Sequence, residues 1–157
     1  KDGVLASQGT PYKKLVKKYL SHNYFSKMPP KSLDRNSFRS FYVHLIEKNY
    51  SKYDTMATLA EFTIESIIRS LDYLPKKIKN ILITGGGYRN KHIMQSLKKK
   101  LNIKILDHND LGIEPDFIEA ELIAFLTARS YYDLPITYTS TTGVSKNVSG
   151  GKIYTCL

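Results

Sequence analysis

Cysteine is almost missing from this 157-residue chain: Cys156 stands alone, one residue from the end. A lone thiol excludes an internal disulfide and any cysteine-built metal cluster, and its simplest setting is a reducing cytoplasm. Long apolar runs are missing too. No stretch approaches the ~18 apolar residues of a membrane span, so no membrane partner is expected, and no targeting segment is visible. His22, His44, His92 and His108 lack metal-ligand spacing. Serine, histidine and aspartate all occur, but without a nucleophile elbow, so no covalent catalysis is assigned. Lys1 stands where a methionine would open a complete reading frame, which leaves a processed chain or a fragment as an open reading.

Acidic residues are scarce relative to basic ones, 14 against 24, for a formal net charge of +10. Nucleic acid is the first partner such a charge suggests. The lysines, however, are spread over Lys13–Lys18, Lys76–Lys79 and Lys98–Lys100, and no binding motif accompanies them. A solvated surface is the favoured reading, and nucleic acid is not expected. The length suits one domain with a real core, or one lobe of a larger protein.

Along the chain, "GTPYKKLVKKYL" predicts a helix with Thr10 as N-cap and Pro11 in the first position. Pro29 and Pro30 break the pattern. Asp34 can cap a second helix reaching about Tyr50. Met56, Leu59, Ala60, Thr63, Ile64, Ile67, Ile68 and Leu71 recur at helical steps and predict a third, with Glu65 placed to pair with Arg69. "NILIT" reads as a buried strand, Arg89–Leu101 as a helix, "IKIL" as a second strand, and Glu114–Ser130 as a helix with Pro115 in its first turn. "ITYTSTTGVSKNVSGG" reads as loop with one short strand, and "KIYT" as an edge strand. Strand, helix and strand at this spacing form a βαβ unit with a right-handed crossover expected. The class is therefore α/β, a βαβ core with several flanking helices.

Gly85, Gly86 and Gly87 fall where the first strand meets its helix. The carboxyl end of a parallel strand is where open α/β sheets bind ligands. Glycines there permit positive φ and close approach to the backbone, and a helix start offers unpaired N–H groups. This is no Walker loop. It is nearly a dinucleotide fingerprint, but Asn90 replaces the third glycine; Asp107 then sits about where a ribose-binding acid would. Nucleotide contact and a merely tight turn are both open readings. Asn90 lies on the core-facing stripe and either braces the glycine loop or shapes a pocket. Glu119 shares a stripe with Leu122, Ile123 and Leu126, so it is paired, hydrated in a cleft or shifted in pKa, unless it simply stabilises the helix dipole. Asp116 is expected to serve the dipole. Lys31 and Arg35 are read as exposed residues that can also meet an anion.

These segments, in this order, resemble the C-terminal half of the anhydro-N-acetylmuramic acid kinases. "KDGVLASQG" resembles the Asp-x-x-Gly entry to that half, and "YFSKMPPKSLDRNSF" its Pro-Pro-Lys-Ser-x-x-Arg-x-x-Phe stretch. "DTMATLAEFTIESI" resembles Asp-x-x-Ala-Thr-Leu-x-x-x-Thr-x-x-Ser-Ile, "GGGYRNKHIMQSL" Gly-Gly-Gly-x-x-Asn-x-x-Leu-Met-x-x-Leu, and "GIEPDFIEA" Gly-x-x-Pro-Asp-x-x-Glu-Ala. "TTGVSKNVSGG" resembles the closing Thr-Gly-Ala segment. Departures are Leu33-Asp34, where Thr-Gly is usual, and "ELIAF", where an Ala-Phe-Ala pattern is usual.

The resemblance implies one lobe of an actin-like, ribonuclease-H-like (ASKHA-type) kinase that works as a dimer with ATP and Mg2+. In that reaction water opens the 1,6-anhydro bridge of anhydro-N-acetylmuramic acid and O6 takes the γ-phosphoryl group, in cytoplasmic recycling of cell-wall sugar. It would place Gly85, Gly86, Gly87 and Asn90 at the nucleotide end of the cleft and Glu119 towards the sugar. The family's Gly-Thr-Ser-x-Asp-Gly phosphate loop and its water-activating aspartate are not in these 157 residues. The chain is therefore expected to be inactive without an N-terminal half, since phosphoryl transfer needs phosphates, metal and nucleophile positioned together. Three other readings compete: a non-catalytic nucleotide-binding or assembly remnant, a basic nucleic-acid binder, and a Rossmann-type dinucleotide binder.

Overall fold

A computed structural model of the chain describes residues 1–154, apart from the side chain of Arg35. The proposed anion contact of Arg35, Cys156 and the end of the expected "KIYT" strand therefore lie outside the described residues; Lys152–Tyr154 forms no strand.

The chain enters through α1 (Val4–Ser7) and α2 (Lys13–Leu20). Thr10 is not the N-cap of α2, which starts two residues later than expected, after Tyr12. The reason is tertiary. The Thr10 N–H donates to Asp54 Oδ1 (2.7 Å) and the Tyr12 N–H to Thr58 Oγ1 (3.0 Å), holding residues 10–12 outside the helix. Asp34 accepts from the Asn36 N–H, but the cap opens a 3-10 turn, Arg35–Phe38, that continues into α3 (Arg39–Glu47).

Helix α4 (Lys52–Ser70) is the axis of the molecule and is capped by Ser51. Ala60 and Ile64 of the expected stripe are buried, together with Ala57 and Thr58, whereas Met56 is 42% exposed. Thr58 is the one buried polar residue among those described; its hydroxyl donates to the Asp54 carbonyl and accepts from Tyr12, so neither function is stranded. Helices α1, α2, α3 and α5 (Lys91–Lys100) pack on α4. Phe41 and Leu45 of α3 fill the centre, and Phe25, Phe38, Phe41 and Phe62 form mostly edge-to-face ring pairs beside them.

Glu65 does not pair with Arg69. Lys100 bridges Glu61 and Glu65 at 2.6 Å each, while Arg69 donates to the Leu20 carbonyl. Partial burial pulls the Lys100 pKa down, but its bonds to Glu61 and Glu65 outweigh this and hold it above the usual lysine range.

The βαβ unit is present: β1 (Asn80–Ile81) and β2 (Lys104–Ile105) flank α5 and pair in parallel, Asn80 with Lys104 and Ile81 with Ile105. Each strand is shorter than expected. α6 (Ile118–Tyr131) starts after Pro115, which belongs to a preceding turn closed by Phe117 N–H to Glu114 O. A short turn of helix, α7 (Thr139–Thr142), and an isolated antiparallel bridge between Thr137 and Val148 occupy the Thr/Ser/Gly-rich tail. The architecture is mixed α/β, a small parallel sheet among many helices. No helix among the described residues is long and apolar enough to cross a membrane. No residue beyond Leu97 is buried among those described.

Candidate functional site

The triple-glycine segment turns the chain from β1 towards α5. Gly85 has φ +75°, a conformation that costs any residue with a Cβ. Gly86 and Gly87 open a 3-10 turn, Gly86–Arg89. A Cβ added at Gly85, Gly86 or Gly87 would meet nothing within 4 Å. Packing therefore does not require glycine at 86 or 87; their backbone is simply left open to approach.

Across from this bend lies the start of α6. Asp116 is not a simple dipole partner: it forms an ion pair with Arg89, which ties the glycine turn to the segment leading into α6. The Tyr88 hydroxyl and Asp116 together raise the pKa of the Arg89 guanidinium. Thr84, Gly85, Gly86, Pro115, Asp116, Ile118 and Glu119 line the resulting crevice of about 290 Å³. Glu119 is exposed, with neighbours Leu122 and Ile123 exposed as well. Glu119 stands in the first turn of α6, so hydration in a cleft and stabilisation of the helix dipole both agree with its placement.

Asn90 lines a cavity with Gly86 and Gly87, and its N–H donates to the Gly87 carbonyl (3.0 Å), but its side chain has a further task. It is the N-cap of α5, its Oδ1 accepting from the Ile93 N–H (3.1 Å). The asparagine just before an apolar-periodic run was the signal for this role. The Lys91 N–H meanwhile donates to the Asp2 carbonyl (3.0 Å). Two early N–H groups of α5 are thus taken, and the helix start is not the open phosphate cradle the sequence suggested. Asn90 presses on Gly3, where a Cβ would lie 2.0 Å from its Oδ1. Asp2, Gly3, Met56, Leu59, Gly86, Gly87, Asn90 and Ile93 are among the residues around a second cavity of about 570 Å³. Gly86 borders both spaces. The crevice brings Gly85 and Gly86 to Glu119, while Gly87 and Asn90 face the neighbouring cavity. No local pattern reveals that Asp2 and Gly3 return to this loop.

Asp107 accepts from the Asn109 N–H (2.8 Å) in a tight turn and lines a third cavity, of about 450 Å³, with His108, Glu114 and Asp116. It does not line the crevice with Gly85. Lys31 is committed elsewhere: its ammonium donates to the Tyr24 carbonyl (3.0 Å) and lies 3.8 Å from the Tyr73 ring centroid.

Residues 1–156 match the family model for anhydro-N-acetylmuramic acid kinase. The chain belongs to the anhydro-N-acetylmuramic acid kinase family. Curated relatives bearing that name include proteins of Methylobacterium nodulans (38% identical over 149 residues, 95% of this chain and 39% of the relative), Zymomonas mobilis (38% over 152 residues, 97% and 40%) and Rhodopseudomonas palustris (40% over 151 residues, 96% and 40%). The chain thus spans about two-fifths of the length of these kinases, and its segments resemble their C-terminal half.

Within the kinase family frame, the motifs fall into two groups. Asp54 and Thr58, of the Asp-x-x-Ala-Thr-Leu motif, hold the loop before α2. Pro30 of the Pro-Pro-Lys-Ser stretch meets Gly143 of the Thr-Thr-Gly segment, where a Cβ would sit 3.6 Å from the proline ring. The Gly-Gly-Gly and Pro-Asp-x-x-Glu motifs instead meet across open space. For a nucleotide, the bare backbone of Gly86 and Gly87 offers one contact face. No group of three or more His, Cys, Asp or Glu side chains converges among the described residues, and Asp116 is engaged by Arg89. No step through a metal is assigned to this chain.

Proposed function

We propose that this chain forms one wall of the active site of an ATP-dependent kinase acting on 1,6-anhydro-N-acetylmuramic acid. The observation that carries this reading is the crevice in which Gly85 and Gly86 face Glu119, in a member of this kinase family. Gly85, Gly86, Gly87 and Asn90 form the nucleotide end. The three glycines admit the nucleotide to the backbone, and Asn90 acts indirectly by fixing the start of α5. Glu119 accepts hydrogen bonds from sugar hydroxyls. The lobe belongs to an actin-like (ASKHA-type) enzyme that closes around both substrates, works as a homodimer, and recycles cell-wall sugar in the cytoplasm. Mg2+ bound with ATP would neutralise charge on the phosphates during transfer, and no residue of this chain is assigned to hold it. Water would bond to C1 as the C1–O6 bridge breaks, and O6 would take the γ-phosphoryl group of ATP, giving N-acetylmuramic acid 6-phosphate and ADP.

The test is turnover of anhydro-N-acetylmuramic acid with ATP-Mg. The chain alone gives none; paired with the N-terminal half of the Zymomonas mobilis kinase, it gives the 6-phosphate. Glu119→Gln in that pair lowers kcat/KM at least tenfold with ATP binding kept. Unchanged turnover in Glu119→Gln removes the sugar role. A second reading, a nucleotide-binding remnant without catalysis, draws on the absence of a convergent acidic cluster among the described residues. ATP binding by an assembled pair that never turns over would favour it.

A further inference from the structure

Near its C-terminal end α4 borders another pocket, of about 380 Å³, which opens against the turn Asn23–Ser26. Met56 and Leu59, earlier on the helix, reach the cavity beside the glycine bend. Ser66, Arg69, Ser70 and, just past the helix, Tyr73 line this one instead. It shares no residue with the crevice between Gly85 and Glu119. The volume suits a small ligand.

The walls are held by their own chemistry. A helix end followed by a short 3-10 turn leaves backbone carbonyls without helical partners. Three side chains take them up here. The Lys31 ammonium donates to the Tyr24 carbonyl (3.0 Å), the Tyr73 hydroxyl to the Phe25 carbonyl, and the Arg69 guanidinium to the Leu20 carbonyl (2.8 Å). The rings of Tyr24, Phe25 and Phe62 meet edge to face, with successive centroids 5.4 and 5.8 Å apart. The apolar lining is therefore fixed before any ligand arrives.

The charges indicate the class of ligand. Among the described residues, no acidic side chain lines the pocket, and neither Lys31 nor Arg69 pairs with a carboxylate. A carbonyl and the face of Tyr73, 3.8 Å away, solvate the Lys31 ammonium but leave its charge uncancelled. Arg69 spends one nitrogen on Leu20 and keeps further N–H donors. The Ser66 and Ser70 hydroxyls give their protons to the Phe62 and Ile67 carbonyls, 2.6 Å each, so their oxygens are left to accept. The pocket thus asks for a negative group, a flat apolar body and an N–H.

We infer that this pocket binds a small planar aromatic carboxylate that carries an N–H. Lys31 and Arg69 take the carboxylate, the aromatic lining takes the ring, and Ser66 or Ser70 accepts the N–H. Every residue involved lies between positions 24 and 73, so the site stands apart from the kinase reading.

Indole-3-acetate is the probe, and indole-3-acetamide is its uncharged isostere. Each is titrated into the isotope-labelled full chain near neutral pH at fixed salt, and amide chemical shifts are followed. The acetate should saturate and move Tyr24, Ser66, Ser70 and Tyr73 most. It should bind about tenfold tighter than the acetamide, the worth of one hydrogen bond to a charged group. The double change Lys31→Met, Arg69→Met should erase that preference and leave the acetamide affinity as it was. Equal affinities in the wild-type chain overturn the inference, as does a preference that survives the double change. Shifts centred on the exposed α6 helix overturn it too, as does a lack of saturation by about 10 mM. The acetate–acetamide comparison uses the wild-type chain alone, so it decides the matter even if the double change loosens the turn.

Discussion

Ile64 in α4 and Leu122 in α6 are both aliphatic residues midway along apolar helices, yet Ile64 is fully enclosed and Leu122 is 53% exposed. The contrast extends to their surroundings. Up to Leu97, four helices close around α4 and its buried Thr58 is fully bonded. Beyond Leu97, α6 and α7 sit on the outside, and only half-buried contacts hold them. The lesson is that helix formation and helix burial are separable. The chain contains a closed core and an arm whose apolar helix stays exposed, and the crevice lies at their junction.

The sharpest way to break this comparison is to cut into both parts and compare the losses by urea unfolding. Phe41→Ala should cost about 3–5 kcal/mol and Ile64→Ala about 2–5 kcal/mol, because both leave cavities in a closed core. Leu122→Ala in the same chain should stay within about 0.5 kcal/mol. Equal losses at the two sites would mean that α6 is enclosed after all. Thr58→Val comes next, at about 1–3 kcal/mol, since it strands the Tyr12 N–H in the interior.

How much of this was legible beforehand follows the same division. The α4 pattern was readable because helical periodicity is local, and so was the βαβ order. Which side of α4 faces inward was read only in part: Ala60 and Ile64 were right, but Met56 is exposed while Ala57 and Thr58 are buried. The packing of α1 and α2 decides that, and no window of the sequence contains it. Glu65 found Lys100 rather than Arg69 for the same reason. At the site, Gly85, Gly86 and Glu119 were picked out and do share a crevice, whereas Asn90 turned out to be a cap. The Arg89–Asp116 pair and the return of Asp2 went unseen, because both are contacts between distant segments.

Lys100→Met sharpens the account of how the βαβ unit is fastened to the core. It should cost about 1 kcal/mol at pH 7, a value kept small by solvent screening of partly exposed groups. Because the folded-state pKa of Lys100 is raised, its contribution is fully present below the unfolded lysine pKa, about 10.4. It fades as the pH climbs through the folded value. Wild type and variant should therefore converge only in strong alkali, as followed by thermal melts across pH. The smallest effect concerns the bend. Gly86→Ala should change stability by less than about 0.5 kcal/mol, as nothing occupies the space and φ there is not positive. Gly85→Ala should cost about 1 kcal/mol or more.

The central claim, that the glycine bend receives the nucleotide, is tested most directly by amide chemical shifts of the isotope-labelled chain assembled with the unlabelled N-terminal half of a kinase relative. Addition of ATP is predicted to move the resonances of Gly85, Gly86 and Gly87 first and most. ATP that binds the assembly while leaving those three amides unmoved, with its shifts in α2 or α3 instead, would contradict it.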